Sequence, residues 1–217
     1  MFCAGAKWYG LVHGGIANEN FKYMLGILSF LLSFFGGMPY LFMAINAKIK
    51  PERTTWGIWT LILVLSIAAY RAEGGQESIL FLFGDLAITG SIFAVSIFKG
   101  KGGADRLDLS CLILAITGLL LWQLTDNPGL QIIGVVTADM LALIPTIKKA
   151  LDDPEGDSSI TFFFSAAAAL MAITSIKDFN FILVFYPFYL YSINLITGVV
   201  ISSAKYVSRK KGGDLKK

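Results

Sequence analysis

The chain has 217 residues, of which 55% are hydrophobic and only 15% charged, and its mean hydropathy is +0.67. Soluble domains carry roughly 25% charged residues, so a soluble enzyme with an ordinary solvated surface is excluded, as is a disordered chain. Two cysteines and a single histidine exclude a disulfide scaffold and a Cys/His metal cluster, and no other cofactor is indicated.

In chain order, residues 1–22 form a polar flank with sparse basic residues and no apolar core followed by a small-residue cleavage site, unlike a signal peptide. Two readings of it stay open: a short ordered flank, or a start at Met24. Seven apolar stretches follow. Tyr23–Ala47, Thr54–Tyr70, Leu109–Thr125, Ser158–Ile176 and Phe179–Ala204 are free of charge; Ser78–Phe98 and Asn127–Ile147 each hold one acid, Asp85 and Asp139. About 17 to 25 residues suffice for a helix to cross the hydrocarbon core, and no alternating barrel pattern is present. The expected fold is all-α and integral to the membrane, with seven transmembrane helices whose backbone polar groups are satisfied internally.

Positive residues resist translocation, and 14 of the 18 Lys and Arg fall on one side: Lys48, Lys50, Arg53, Lys99, Lys101, Arg106, Lys148, Lys149 and six in the tail 205–217. The other side has four: Lys7, Lys22, Arg71 and Lys177. The expected location is the plasma membrane, with the N-terminus outside and the C-terminus cytoplasmic. The basic tail serves as a topology anchor in this reading. The cluster is short and accompanies no nucleic-acid recognition fold, so the lipid bilayer is a partner and nucleic acid is not.

The spans contain a duplication. Stretches one and five each carry a proline near the cytoplasmic end, Pro39 and Pro145, followed by a basic stretch, a Pro-Glu pair and hydroxyl residues that open the next helix. The first copy reads Pro39-Tyr40-Leu41, Lys48, Lys50, Pro51-Glu52, Thr54-Thr55, Trp56 and Trp59. The second reads Pro145-Thr146-Ile147, Lys148-Lys149, Pro154-Glu155, Ser158-Ser159, Phe162 and Phe163. Stretches three and seven share Ile-Thr-Gly at 88–90 and 196–198. A proline inside a helix frees a carbonyl one turn upstream, which makes a hinge point, and Thr54, Thr55, Ser158 and Ser159 suit N-caps. Leu109–Thr125 has no counterpart, so the arrangement is 3+1+3: two parallel three-helix repeats, 23–98 and 127–204, joined by a linker helix in 99–126. The flank 1–22 and the tail 205–217 complete the chain.

These residues resemble the PQ-loop family, which includes SWEET (MtN3-type) sugar transporters and cystinosin-like carriers, and look closest to prokaryotic PQ-loop-like proteins. The resemblance covers roughly Met38 to Lys205. Two differences accompany it: Tyr40 and Thr146 stand where glutamine follows the proline, and the second and sixth spans lack proline. The resemblance implies a solute site between the repeats. It also implies an asparagine in each third helix at that site, a pattern that Asn194 matches and Asp85 replaces with an acid.

Asp85 lies seven residues into its stretch and Asp139 twelve, depths of roughly 10 and 18 Å at 1.5 Å per residue. An acid near mid-bilayer costs about 2.5–3.5 kcal/mol on insertion scales and normally faces the bundle interior or a water-filled cavity. No basic residue lies within any span, so water, hydroxyls or a proton must compensate both acids. Each has a functional reading, in proton coupling or solute binding, and a structural one, as a neutral acid joining helices. Asn194 likewise reads as a site residue or as a packing amide. Trp56, Trp59 and Trp122 read as interfacial anchors, as does the aromatic run 179–191. Ala166–Ala169 offers a face for close helix approach, and Arg71 with Glu73 and Glu77 an exposed outer cluster. Cys3 and Cys111 fall towards opposite faces and are not expected to pair, and His13 lies in the flank.

The expected function is a membrane carrier for a small polar solute (a sugar, an amino acid or a related compound), with proton coupling through an intramembrane aspartate and Pro39 and Pro145 as hinges. It is not an enzyme in this reading, and no catalytic residue is assigned. A Schiff-base pigment fails because the last span has no lysine. A non-transporting scaffold or sensor is the alternative, and an aspartyl hydrolase built on Asp85 and Asp139 a distant third. Oligomeric state and solute identity are not readable.

Overall fold

A computed structural model describes residues 16–72, 79–102, 106–124, 128–177 and 181–214. The flank up to residue 15, with Lys7, Cys3 and His13, lies outside the described residues, as do Glu73, Glu77 and the last three tail residues. The described residues form seven α-helices and no strand: α1 Ile16–Ile45, α2 Arg53–Ala72, α3 Ile79–Lys99, α4 Arg106–Gln123, α5 Pro128–Asp152, α6 Ser159–Ser175 and α7 Phe181–Asp214, with a short 3₁₀ turn at Pro154–Gly156. Three of them, α1, α3 and α7, are long and apolar enough to cross a membrane by length and composition, whereas α6 and the apolar part of α2 are shorter.

Both hinge-candidate prolines sit inside helices that continue past them, Pro39 in α1 and Pro145 in α5, and Pro187 lies inside α7. Helix α3 packs against both α1 and α2, and α7 packs against both α5 and α6. Helix α1 also lies along α6, α2 meets α5, and α4 rests mainly on α5. The largest buried cluster among the described residues joins five of these helices: Ile58, Ile62 and Leu63 of α2, Phe81 and Leu82 of α3, Ala138 and Ala142 of α5, Ala168 and Ala169 of α6, and Tyr186 and Leu190 of α7. Ala166, Ala168, Ala169 and Ala172 of α6 are buried as a small-residue face should be, and Ala167 is half-buried. Large apolar side chains also cover the outside, among them Phe35, Phe42, Leu120, Phe181 and Val199, each more than half exposed.

The helix starts differ from the expected caps. The Thr55 backbone N–H donates to the Glu52 carboxylate at 2.8 Å, so Glu52 serves as the cap of α2 and Thr55 lies within the helix. Ser158 occupies the N-cap position of α6 without a side-chain capping bond; its own N–H donates to Asp157 at 2.9 Å. The two copies also align differently from the Pro-Glu pairing in the sequence. Glu52 is buried, but Glu155 is exposed and bonded to Arg209 at 2.7 Å, and the buried acid of the second copy is Asp157. The 3₁₀ turn accounts for this, because it carries Pro154-Glu155 outward before the chain turns back into α6. The hydrogen bond from Arg209 holds the Glu155 carboxyl below the usual carboxylate range.

Cationic side chains finish several helix ends. Arg53 donates to the carbonyls of Ser96, Gly100 and Gly102 at 3.1–3.2 Å, closing the C-terminus of α3. Lys22 of α1 donates to the Ile176 carbonyl just past α6 at 2.6 Å. Arg71 stands over the Phe83 ring at 5.6 Å.

Candidate functional site

The three polar residues singled out in the spans meet. Asp85 from α3, Asp139 from α5 and Asn194 from α7 line one cavity of about 50 Å³, to which α2 and α6 also contribute. A water needs at least roughly 10–15 Å³, so the space admits water or a small polar group. It is not a dry packing defect, because its wall carries carboxylates, hydroxyls and an amide.

Each acid is held by a hydroxyl from another helix. The Ser33 hydroxyl of α1 donates to Asp85 at 3.0 Å, and the Tyr189 hydroxyl of α7 donates to Asp139 at 2.7 Å. The arrangement is reciprocal. In the N-terminal triplet the acid is on the third helix and the hydroxyl on the first; in the C-terminal triplet the acid is on the first and the hydroxyl on the third. Sequence alone contains no sign of Ser33 as a partner, and Tyr189 sits in the aromatic run that reads as interfacial.

Asn194 donates its amide to the Leu190 carbonyl at 2.8 Å, and Thr197 donates its hydroxyl to Ile193 at 2.7 Å. Both bonds stay within α7, one turn back. They leave the amide oxygen and one amide N–H of Asn194, and the lone pairs of Thr197, as the groups these residues can offer. Thr89 and Thr197, the central residues of the two Ile-Thr-Gly tripeptides, both line the cavity. Each tripeptide therefore contributes its threonine to the same wall.

Trp56 and Trp59 are not interfacial anchors. Trp56 is buried at 4% exposure, and both line the cavity with Phe162. Their rings form a chain: Tyr40 to Trp56 at 4.9 Å, Trp56 to Trp59 at 5.3 Å and Trp59 to Phe162 at 6.2 Å. These residues occupy the first turns of α2 and α6 and the turn after Pro39. An aromatic layer therefore lies between the cavity and the loops that precede α2 and α6. Tyr40, which follows Pro39, meets Trp56 with its ring tilted by 49° and ends that layer.

Two buried polar atoms at this wall have no hydrogen-bond partner, the Trp59 indole nitrogen and the Thr161 hydroxyl. Buried polar groups are nearly always paired, and each exception calls for an explanation. By contrast, Thr55 is fully satisfied. It donates to the Ala142 carbonyl at 2.6 Å and accepts from Thr146 at 3.0 Å, beside Pro145. No group of three or more Cys, His, Asp or Glu suited to a metal ion exists among the described residues.

No family model, curated protein or solved structure matches the chain, so its function has to be argued from these residues.

Proposed function

We propose that the chain is a multi-pass plasma-membrane protein with seven spans arranged 3+1+3, which carries a small polar solute across the bilayer with proton coupling through Asp139. The observation that carries this reading is the meeting of Asp85, Asp139 and Asn194 at one cavity lined by helices of both triplets. Acids within apolar spans are expensive to bury and mark solute or proton paths, and a site where two repeats meet is where an alternating-access carrier holds its solute.

Three further observations support it. Exchanging the triplets turns the α1–α6 contact into α5–α2, and both contacts are present, as are α3 against α1 and α2 and α7 against α5 and α6. That is the pattern two parallel repeats produce, with α4 as the odd helix. The exposed Phe35, Phe42, Leu120, Phe181 and Val199 suit a lipid-facing surface, since soluble proteins rarely expose so much contiguous apolar area. The aromatic layer from Tyr40 to Phe162 closes the cavity toward the loops rich in lysine and arginine. In this reading those loops are cytoplasmic, and Pro39 and Pro145 flank the closure as hinges.

The test is solute-induced proton movement in sealed proteoliposomes, across amines, sugars, amino acids and organic acids. The expected result is alkalinisation of an acidic lumen with one solute class, lost in Asp139→Asn. No proton movement and no exchange of labelled solute across the whole panel would overturn the carrier reading and leave both acids as structural groups.

A further inference from the structure

The wall of the cavity is unevenly supplied. Asp85 and Asp139 accept one hydroxyl each, and a carboxylate has about four acceptor positions, so most of their capacity is unused. Asn194 and Thr197 each spend one donor on their own helix and retain their oxygens, and Asn194 keeps a second amide N–H. Among the described residues, no lysine, arginine or histidine lines the cavity. An anionic solute would meet two acids and no cation, and a zwitterion would set its own carboxylate beside those same two acids.

The remaining lining is aromatic: Trp56, Trp59, Phe162 and Tyr186. Aromatic faces attract an organic ammonium through the ring quadrupole. They serve a bare metal ion poorly, because hard cations require a shell of oxygens. The Trp59 N–H and the Thr161 hydroxyl, the latter on a residue only 5% exposed, have no partner within the protein. An indole N–H can only donate, so an acceptor on the occupant would satisfy it. The volume of about 50 Å³ suits a compound of a few heavy atoms.

We infer that the cavity binds a small organic ammonium compound bearing a hydroxyl, of the amino-alcohol class. Its ammonium lies among Asp85, Asp139 and the Asn194 amide oxygen, and its hydroxyl accepts from Trp59 and pairs with Thr161. This rests on the proposed reading of the cavity as the solute site, but not on movement of the solute.

Isothermal titration calorimetry of the purified full chain in detergent micelles tests it, with ethanolamine, n-propanol, propionate and glycine as probes at matched sodium chloride. Ethanolamine should give saturable heat, n-propanol at least tenfold weaker binding, and propionate none. Trp59→Phe and Thr161→Val should each weaken ethanolamine severalfold while the protein keeps its melting temperature, and Asp139→Asn should weaken it at least tenfold. Propanol or glycine binding as tightly as ethanolamine, or no saturable ethanolamine heat, overturns the inference. Counterflow of labelled ethanolamine in proteoliposomes separates the two proposals. Binding without flux overturns the carrier reading and leaves the ligand class standing. Flux of a neutral solute by a protein that does not bind ethanolamine overturns the ligand class alone.

Discussion

The Tyr189 hydroxyl donates to the Asp139 carboxylate at 2.7 Å, and this bond joins α7 to α5 at the wall of the cavity. A buried acid without a charged partner depends on such donors. Tyr189→Phe keeps the ring and removes the hydroxyl, leaving Asp139 without that partner, and deletion of one partner from a buried pair costs about 1–3 kcal/mol. The expected outcome is a lower melting temperature in detergent together with an altered pH profile of flux. A variant that melts lower but has the wild-type profile would make the bond purely structural.

The seat of Asp85 depends on its neighbour. A Cβ at Gly84 would lie 2.6 Å from the Phe30 carbonyl oxygen and 3.1 Å from its Cα, so α1 and α3 touch backbone to backbone there. Gly84→Ala should push the helices apart, at a cost of about 1–3 kcal/mol for overpacking, and draw Asp85 away from Ser33. Gly90 of the same helix meets only the Thr60 methyl, at an ordinary 3.9 Å, so Gly90→Ala is the matched control. Thermal melts should show a drop for the first and little change for the second.

The acids were legible in the sequence because charge in an apolar span is costly wherever the span goes, and Asn194 could be found from its place beside a repeated tripeptide. Their partners were not legible. Ser33 is 52 residues from Asp85 and Tyr189 is 50 from Asp139, and nothing local distinguishes that serine or tyrosine from others in the helices. Trp56 and Trp59 misled for a physical reason: a tryptophan near the end of a span suits the membrane interface and a helix–helix seam equally well, and only packing decides. The alignment of Glu52 with Glu155 failed because a three-residue 3₁₀ turn shifts the second loop, which no count of prolines and acids reveals.

Thr55 predicts an asymmetry between the repeats. Its hydroxyl bonds the Ala142 carbonyl and receives Thr146, bracing α5 where Pro145 removes a backbone donor. Thr161, placed near the start of α6 as Thr55 is in α2, makes no such bond. Thr55→Val should therefore loosen α5 around Pro145, read as faster amide exchange over 141–147. Thr161→Val should leave exchange near Pro39 unchanged. Equal effects at both hinges would show that the brace does not distinguish them.

Beneath the start of α6, Lys149 and Asp157 form an ion pair at 2.9 Å with side chains only 2% and 1% exposed, and Lys205 donates to the Asp157 carbonyl at 2.7 Å. Taking both charges out of water offsets much of their attraction, but removing one leaves the other stranded, at a cost of about 3–5 kcal/mol. Lys149→Met and Asp157→Asn should each lower the melting temperature sharply, and the double variant Lys149→Met/Asp157→Leu should recover most of the loss. The exposed Glu155–Arg209 pair lies in the same region and provides the contrast. Its carboxyl is held below the usual range, so whatever it contributes is present above the ordinary carboxylate pKa and is lost as pH falls through the lowered one. Solvent and salt screen it, so Glu155→Gln should leave the melting temperature at neutral pH unchanged. A large loss from Glu155→Gln with none from Asp157→Asn would reverse the assignment of the structural acid in this loop.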